Sequence, residues 1–354
     1  MTTVRIGIIG LGTIGRQYFE EIQAGLVEDA IVTAVTIRDE TVVKAQQAVF
    51  PDLKIYLTAE ALCASSEVDA VLIATPHMTH VALAKLALRQ GKHVFVEKPL
   101  GVKLADLLPL VSEVTQSDLI FSVQYQERVH PTFQAIKKLL AYQEIGEIQR
   151  IHWQILQYYR DAAYYNDTAW RGTWALDGGG VLLNQTIHQL DLWQYLFGMP
   201  SRIFANCRFG AYRQIEVEDE VTATFVYPNG SQGTFIASVN EPFSQDRLEI
   251  IGEKGTIVLD GLGKIWLTTA LGCREIPIVL EENQWSIDRD LLLADFVAHI
   301  TGKSQEPLIS DVFGATKSVE LVNGMWLSTW QKSWVDLPLD MATFNKYYQI
   351  NHDA

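Results

Sequence analysis

The chain has 354 residues, 48% of them hydrophobic and 20% charged, which suits two ordinary globular domains. No run of about 18 uncharged apolar residues occurs, so no membrane span is expected. The formal net charge of −14 argues against nucleic acid, whose binding rests on phosphate neutralisation, and against an electrostatic hold on an anionic membrane. It leaves room for a small anionic substrate in a local basic pocket.

Met1-Thr2-Thr3-Val4-Arg5 runs directly into an apolar strand pattern, with no basic head and long apolar segment, so a cytoplasmic protein is expected. From there strands and helices alternate. Strands are predicted at Val4–Ile9, Ile31–Ile37, Asp69–Ala74, His93–Val96 and Ile120–Gln124. Helices are predicted at Ile14–Ala24, Val42–Val49, Val81–Arg89 and Leu104–Val114. Continuous apolar strands alternating with helices indicate a doubly wound parallel sheet. A division is placed at residue 123: a dinucleotide domain over 1–123, and a substrate and oligomerisation domain over 124–354.

The pattern then changes. A helix at Pro131–Tyr142 is followed by a long strand, Glu147–Tyr159. The triple glycine Gly178–Gly180 opens a helix predicted to run unbroken from Val181 to Phe197. Beyond it Pro228-Asn229-Gly230 and Gly252-Glu253-Lys254-Gly255 each separate two short strands, the signature of antiparallel hairpins. Helices near Leu291–Ile300 and Val312–Gln331 close the chain.

Gly10-Leu11-Gly12-Thr13-Ile14-Gly15 is a GxGxxG between the first strand and the first helix. Glycine serves there for a tight turn, for backbone approach to a pyrophosphate, and for close helix packing; the helix N–H groups then receive the phosphates. Gly10, Gly12, Thr13, Ile14 and Gly15 are therefore cofactor-binding candidates. At the end of the second strand Asp39 suits the ribose hydroxyls of NAD, whereas Arg38 suits the extra phosphate of NADP. Either cofactor fits. Cys63, Cys207 and Cys273 are dispersed without a CxxC pair, so neither a disulfide framework nor a metal site is expected.

The stretch from Ala74 to Leu100 contains Thr75-Pro76, His80, Gly91-Lys92-His93 and Glu97-Lys98-Pro99, and the later Gly178–Gly198 reads GGGVLLNQTIHQLDLWQYLFG. Together these resemble the two signatures of the glucose–fructose oxidoreductase/inositol dehydrogenase (Gfo/Idh/MocA) family, and the likeness covers essentially the whole chain. It implies a Rossmann domain followed by a domain with a large open antiparallel sheet, NAD(H) or NADP(H), and a sugar, sugar acid, nucleotide sugar or cyclitol substrate. By the same resemblance Lys98 matches the catalytic lysine and His188 the catalytic histidine. Thr75, Pro76 and His77 stand where the backbone skirts the cofactor, and His80, Glu97 and Lys98 are counted with them as cofactor contacts. Many members carry aspartate four residues before the histidine; here Asn184 stands there.

The chemistry suits these residues. A lysine ammonium at the carboxyl end of a sheet stabilises developing negative charge on a carbinol oxygen. An imidazole with an ordinary pKa of ~6.5 exchanges the hydroxyl proton. Asn184, His188 and Asp191 fall at helical spacing on one predicted face. Asn184 is a substrate-positioning candidate, and Asp191 suits a carboxylate partner or a packing role equally. Tyr158, Arg160, Trp170 and Arg171 form an aromatic, arginine-bearing loop suited to sugar stacking and anion recognition, or to a folded lid. Tyr125 follows the last Rossmann strand and is a further substrate candidate. Nearby Arg128 reads as a packing residue. The functional expectation is hydride transfer between nicotinamide and a hydroxyl-bearing carbon. A glycosidase using transient redox at NAD and a non-catalytic dinucleotide or sugar sensor are the alternatives. An open sheet face also predicts a homodimer or homotetramer.

Overall fold

The computed structural model describes residues 3–37, 50–167 and 170–352. It divides into two compact units. The first comprises Met1–Gly101, Asp106–Val129 and Asn283–Thr316; the second comprises Val102–Ala105, His130–Glu282 and Lys317–Ala354.

The first unit holds a six-stranded parallel sheet: β1 (Val4–Ile9), β2 (Ala30–Thr36), β3 (Lys54–Tyr56), β4 (Ala70–Ile73), β5 (His93–Val96) and β6 (Phe121–Val123). Its order is β3-β2-β1-β4-β5-β6. β1 and β4 are central: β4 is apolar throughout, and β1 departs from that only at Arg5, which pairs with Asp69. β3 was not expected: it has only three residues, none of them buried, and no strand-length pattern announces it. The predicted helix Val42–Val49 lies outside the described residues. The late helix runs from Gln284 to Ile300, and Leu292, Leu293, Phe296 and Val297 enter the same core as Ile6, Ile8, Leu72 and Phe95.

The second unit is built on nine strands: β7 (Ile148–Ile155), β8 (Arg202–Phe209), β9 (Glu218–Val226), β10 (Gln232–Ser238), β11 (Arg247–Gly252), β12 (Gly255–Leu259), β13 (Ile265–Thr269), β14 (Gly272–Ile276) and β15 (Val335–Asp336). The order is β14-β13-β12-β11-β7-β10-β9-β8-β15. Both expected hairpins are present, β9–β10 and β11–β12. One pair, β7 with β10, is parallel, because β7 is inserted between two hairpin systems made later in the chain. The inner face buries Trp153, Phe225, Phe235, Leu248 and Ile250. Trp193, on the helix Ile187–Phe197, packs edge-on against Phe225 and Phe235. A Cβ on Gly233 would come within 2.4 Å of the Trp193 ring, so glycine lets the indole lie against the strand. The opposite face is polar and half exposed, with His152, Gln154, Thr234, Ile236 and Glu249.

Two boundaries differ from expectation for local reasons. β7 ends at Ile155 rather than Tyr159, because Asp246 Oδ1 accepts the N–H groups of Leu156 (2.8 Å) and Gln157 (3.0 Å) and draws the chain off the ladder. The predicted helix Val181–Phe197 is two pieces. Val181–Gln185 is a wide π turn, and the α-helix begins only at Ile187. Both the N–H and the hydroxyl of Thr186 donate to the Val181 carbonyl (2.8 and 2.9 Å), which closes the wide turn. Asn184 and His188 therefore do not share one face of a regular helix. The C-terminal helix Met341–His352 was not expected.

Candidate functional site

In the first unit the glycine loop has the geometry its spacing implies. Gly10 adopts φ +99°, a conformation that disfavours any side chain, and its N–H donates to Thr36 Oγ1 at 3.2 Å. A Cβ on Gly10 would lie 2.5 Å from the Ala74 carbonyl oxygen, and one on Gly15 only 1.9 Å from that of Gly10. At Gly12 the same position faces open space. Gly12 also caps the helix Thr13–Gln23 without a side-chain hydrogen bond, and the first turn carries no acidic residue. The helix thus presents its N–H groups and positive dipole end at an open, backbone-lined cradle, which suits a pyrophosphate. Arg38 and Asp39 lie outside the described residues.

The loops after β4 and β5 are joined by His80. This ring has no solvent exposure, and its Nδ1 and Nε2 lie 2.7 Å from the carbonyls of Pro99 and Thr75 respectively. Burial depresses the pKa of His80, and both carbonyls oppose that shift. His80 thereby holds the Thr75-Pro76 backbone to the Lys98-Pro99 backbone. Thr75 and Thr79 pair through their hydroxyls at 2.7 Å, and His77 opens the short 3-10 turn between them. The Gly91-Lys92-His93 signature is structural here. Lys92 Nζ donates to the carbonyls of Ser65 and Val68, and His93 Nδ1 accepts the Ile120 N–H.

Lys98 stands beyond the carboxyl end of β5. Behind it, Glu97 Oε1 accepts the Tyr18 hydroxyl at 2.7 Å and Oε2 accepts the Lys98 N–H at 3.2 Å. Burial raises the Glu97 pKa, while Tyr18, Lys98 and Arg289 pull it down. Arg289 lies 5.1 Å from the centre of the Tyr18 ring, donates to Gln17 at 2.8 Å and pairs with Glu21. Sequence reasoning missed Tyr18 and Arg289, since nothing local links residues so far apart. Tyr125 is fully buried, with the Arg128 guanidinium 6.0 Å from its ring. Arg128 donates to the Ile309 carbonyl at 2.8 Å, the packing role expected of it.

In the second unit His188 occupies the first turn of the helix Ile187–Phe197 and is 5% exposed. The neighbouring Gln189 donates to the Tyr158 hydroxyl at 3.2 Å, and Gln185 to that of Tyr164 at 3.4 Å, so the aromatic loop is tied to the signature segment. Arg160 and Arg171 flank the Tyr164 ring at 4.7 and 4.2 Å. Arg171 also lies 5.4 Å from the Trp170 ring and donates to Tyr164 O and Asp167. These contacts give the loop a folded core of its own. Asp191 has no solvent exposure and accepts from Ser318 and Gln194.

Two carboxylates that sequence reasoning missed hold the signature segment. Glu218 Oε1 accepts the N–H groups of Gly180 (3.0 Å) and Leu182 (3.1 Å). Gly180 is required there, because a Cβ would meet the Glu218 carbonyl oxygen at 1.9 Å. Asp177, 2% exposed, accepts the Gly172 N–H at 3.0 Å and the Asn184 side-chain amide at 3.2 Å. Among the described residues no cluster of three or more His, Cys, Asp or Glu is arranged to hold a metal ion. No described helix is long and apolar enough to cross a membrane.

Comparison with known proteins agrees with this architecture. Residues 4–125 match the oxidoreductase family model with an NAD-binding Rossmann fold, and residues 133–258 match the Gfo/Idh/MocA C-terminal domain. The chain belongs to the Gfo/Idh/MocA oxidoreductase family. It is an NAD(P)-dependent oxidoreductase of that family. Myo-inositol 2-dehydrogenase of Thermotoga maritima is 28% identical over 287 residues, 79% of each chain. Trans-1,2-dihydrobenzene-1,2-diol dehydrogenase of Bos taurus is 29% identical over 271 residues, 76% of this chain and 77% of that one. Among solved structures, the WlbA dehydrogenase of Chromobacterium violaceum, in complex with NADH and UDP-GlcNAcA, superposes with a TM-score of 0.83 at 25% identity. The match covers 96% of this chain and 97% of that one.

Proposed function

We propose that this enzyme oxidises, or in reverse forms, a secondary alcohol on a six-membered ring that carries a neighbouring hydroxyl. Pyranose sugars, their acids and nucleotide derivatives, and inositol-type cyclitols contain that unit. The observation that carries the reading is the position of Lys98: beyond β5, at the sheet end where the glycine loop opens, with Glu97 and Tyr18 fixing its backbone. Two relatives act, by name, on myo-inositol and on a ring trans-diol, which supports the vicinal ring diol as the common substrate element.

In this reading Gly10, Gly12, Thr13, Ile14 and Gly15 hold the dinucleotide phosphates, and Thr75, Pro76 and His77 flank its path. The bound nicotinamide supplies the hydride acceptor. Lys98 donates a hydrogen bond to the reacting oxygen and stabilises charge that develops there. His188 takes the hydroxyl proton during oxidation and returns it during reduction. Asn184, Tyr158 and Trp170 position the ring. Arg160 and Arg171 would admit an acidic substituent, although both already pack on Tyr164.

The test is a panel of inositols, neutral sugars, uronic acids and nucleotide sugars, with NAD and NADP in parallel, read at the reduced-nicotinamide absorbance. Turnover of a ring polyol, lost by about 100-fold or more in Lys98→Ala and His188→Ala with dinucleotide binding retained, is expected. Full activity in Lys98→Ala refutes the assignment.

A homodimer or homotetramer through the nine-stranded sheet is proposed on its half-exposed, mixed face, which carries His152, Thr234 and Ile236. Light scattering that finds only monomer at micromolar concentration refutes it.

A further inference from the structure

Asn184 of the second unit is held by a neighbouring carboxylate. Asp177 Oδ1 lies 3.2 Å from Asn184 Nδ2, and Oδ2 receives the Gly172 N–H at 3.0 Å. A carboxylate only accepts hydrogen bonds, so the NH₂ end of Asn184 must face it. That fixes the amide: its carbonyl end is directed away from Asp177 and acts only as an acceptor. Asp177 is 2% exposed and Asn184 half-buried, so the carboxylate end of the contact is enclosed.

We propose that Asp177 is the positioning residue of this site, acting through Asn184: one carboxylate ties the Trp170–Trp174 loop to the signature segment and locks Asn184 as an acceptor for a substrate hydroxyl. An aspartate side chain in place of Asn184 would here face a second carboxylate across the same contact. Asp177 already contributes to raising the Glu218 carboxyl, so further negative charge beside it is disfavoured. The substrate half of this inference rests on the dehydrogenase reading above; the contact between the two side chains does not.

The experiment is a double-mutant cycle on the full chain: Asp177→Asn, Asn184→Asp, and both together. In the double variant the amide introduced at position 177 can accept from Gly172 and donate to the carboxylate introduced at position 184, so these two hydrogen bonds survive with the roles exchanged. Urea unfolding at pH 8 should show Asn184→Asp shifting the unfolding equilibrium constant by about tenfold or more, with the double variant near wild type. Additive single effects, or an Asn184→Asp variant as stable as the wild type, would overturn the coupling. With a ring polyol from the substrate panel, each single variant should lower kcat about tenfold and the double should recover most of it. Recovery of stability without recovery of kcat would overturn the positioning role and leave the coupling standing. A panel in which no ring polyol is turned over would fail the dehydrogenase reading and, with it, the substrate role.

Discussion

Tyr18, on the first helix, donates a 2.7 Å hydrogen bond to Glu97, the residue that precedes Lys98. Removing the hydroxyl leaves an enclosed carboxylate short of one donor. Tyr18→Phe is therefore expected to raise the Glu97 pKa further above the usual carboxylate range, because burial already raises it and Tyr18 opposes that shift. The cost to stability should be about 1–3 kcal/mol, read by urea unfolding. kcat should fall several-fold with little change in dinucleotide affinity. An unchanged kcat would mean that Glu97 does not set the Lys98 backbone.

The glycine loop separates fold from binding. Gly15→Ala places a methyl 1.9 Å from a backbone oxygen and should give little folded protein. Gly12→Ala meets only open space and should unfold at close to the wild-type midpoint. Its methyl instead occupies the phosphate cradle, so NADH affinity, measured by fluorescence titration, should fall about tenfold or more. Equal NADH affinity in Gly12→Ala would mean the phosphates lie elsewhere.

Glu218 has no solvent exposure, and burial pushes its carboxyl up to about 7. A carboxyl whose folded pKa exceeds its unfolded value of ~4.5 favours the protonated folded state. Its contribution is present at low pH and is lost as pH rises from about 4.5 through 7. Glu218→Gln keeps an acceptor for Gly180 and Leu182 and removes the titration. Wild-type stability should therefore decline over that window by up to about 3 kcal/mol more than that of the glutamine variant. Parallel pH profiles of the two proteins would sink this.

His80 joins two loop carbonyls, at Thr75 and Pro99, from a fully buried position. His80→Ala should cost about 2–4 kcal/mol and weaken NADH binding together with kcat, since it frees the backbone on both sides of the proposed cofactor path. A variant with wild-type stability would show that the loops hold themselves.

Where one element carries its own signal, the sequence was readable. The strand–glycine loop–helix start, the hairpins at Pro228–Gly230 and Gly252–Gly255, and the helix Val312–Gln331 are all announced by turn chemistry or periodicity within a few residues. What escaped depends on partners far along the chain. The helix expected from Val181 to Phe197 is interrupted because Thr186 doubles back on the Val181 carbonyl, while Glu218, 36 positions beyond Leu182, holds the N–H groups that open the turn. Asp177 immediately precedes the triple glycine, and nothing in that local pattern singles it out. Its meaning lies in the amide it faces and in Gly172, neither of which a periodicity can indicate. The parallel pairing of β7 with β10 was hidden for the same reason: tight turns reveal only neighbours in sequence.

The helix Gln284–Ile300 sends Leu292, Leu293, Phe296 and Val297 into the core formed by β1 and β4. On a ribosome, the nucleotide-binding half therefore cannot close its hydrophobic centre until most of the polypeptide has been synthesised, even though all six of its strands emerge early. Through that interval an apolar sheet surface waits for a helix still inside the tunnel, and contacts of such long separation are slow to form. A fragment ending near residue 125 would carry the glycine loop and Lys98 on a permanently unsealed core, so chimaeras with related dehydrogenases should carry the late helix along with the first six strands.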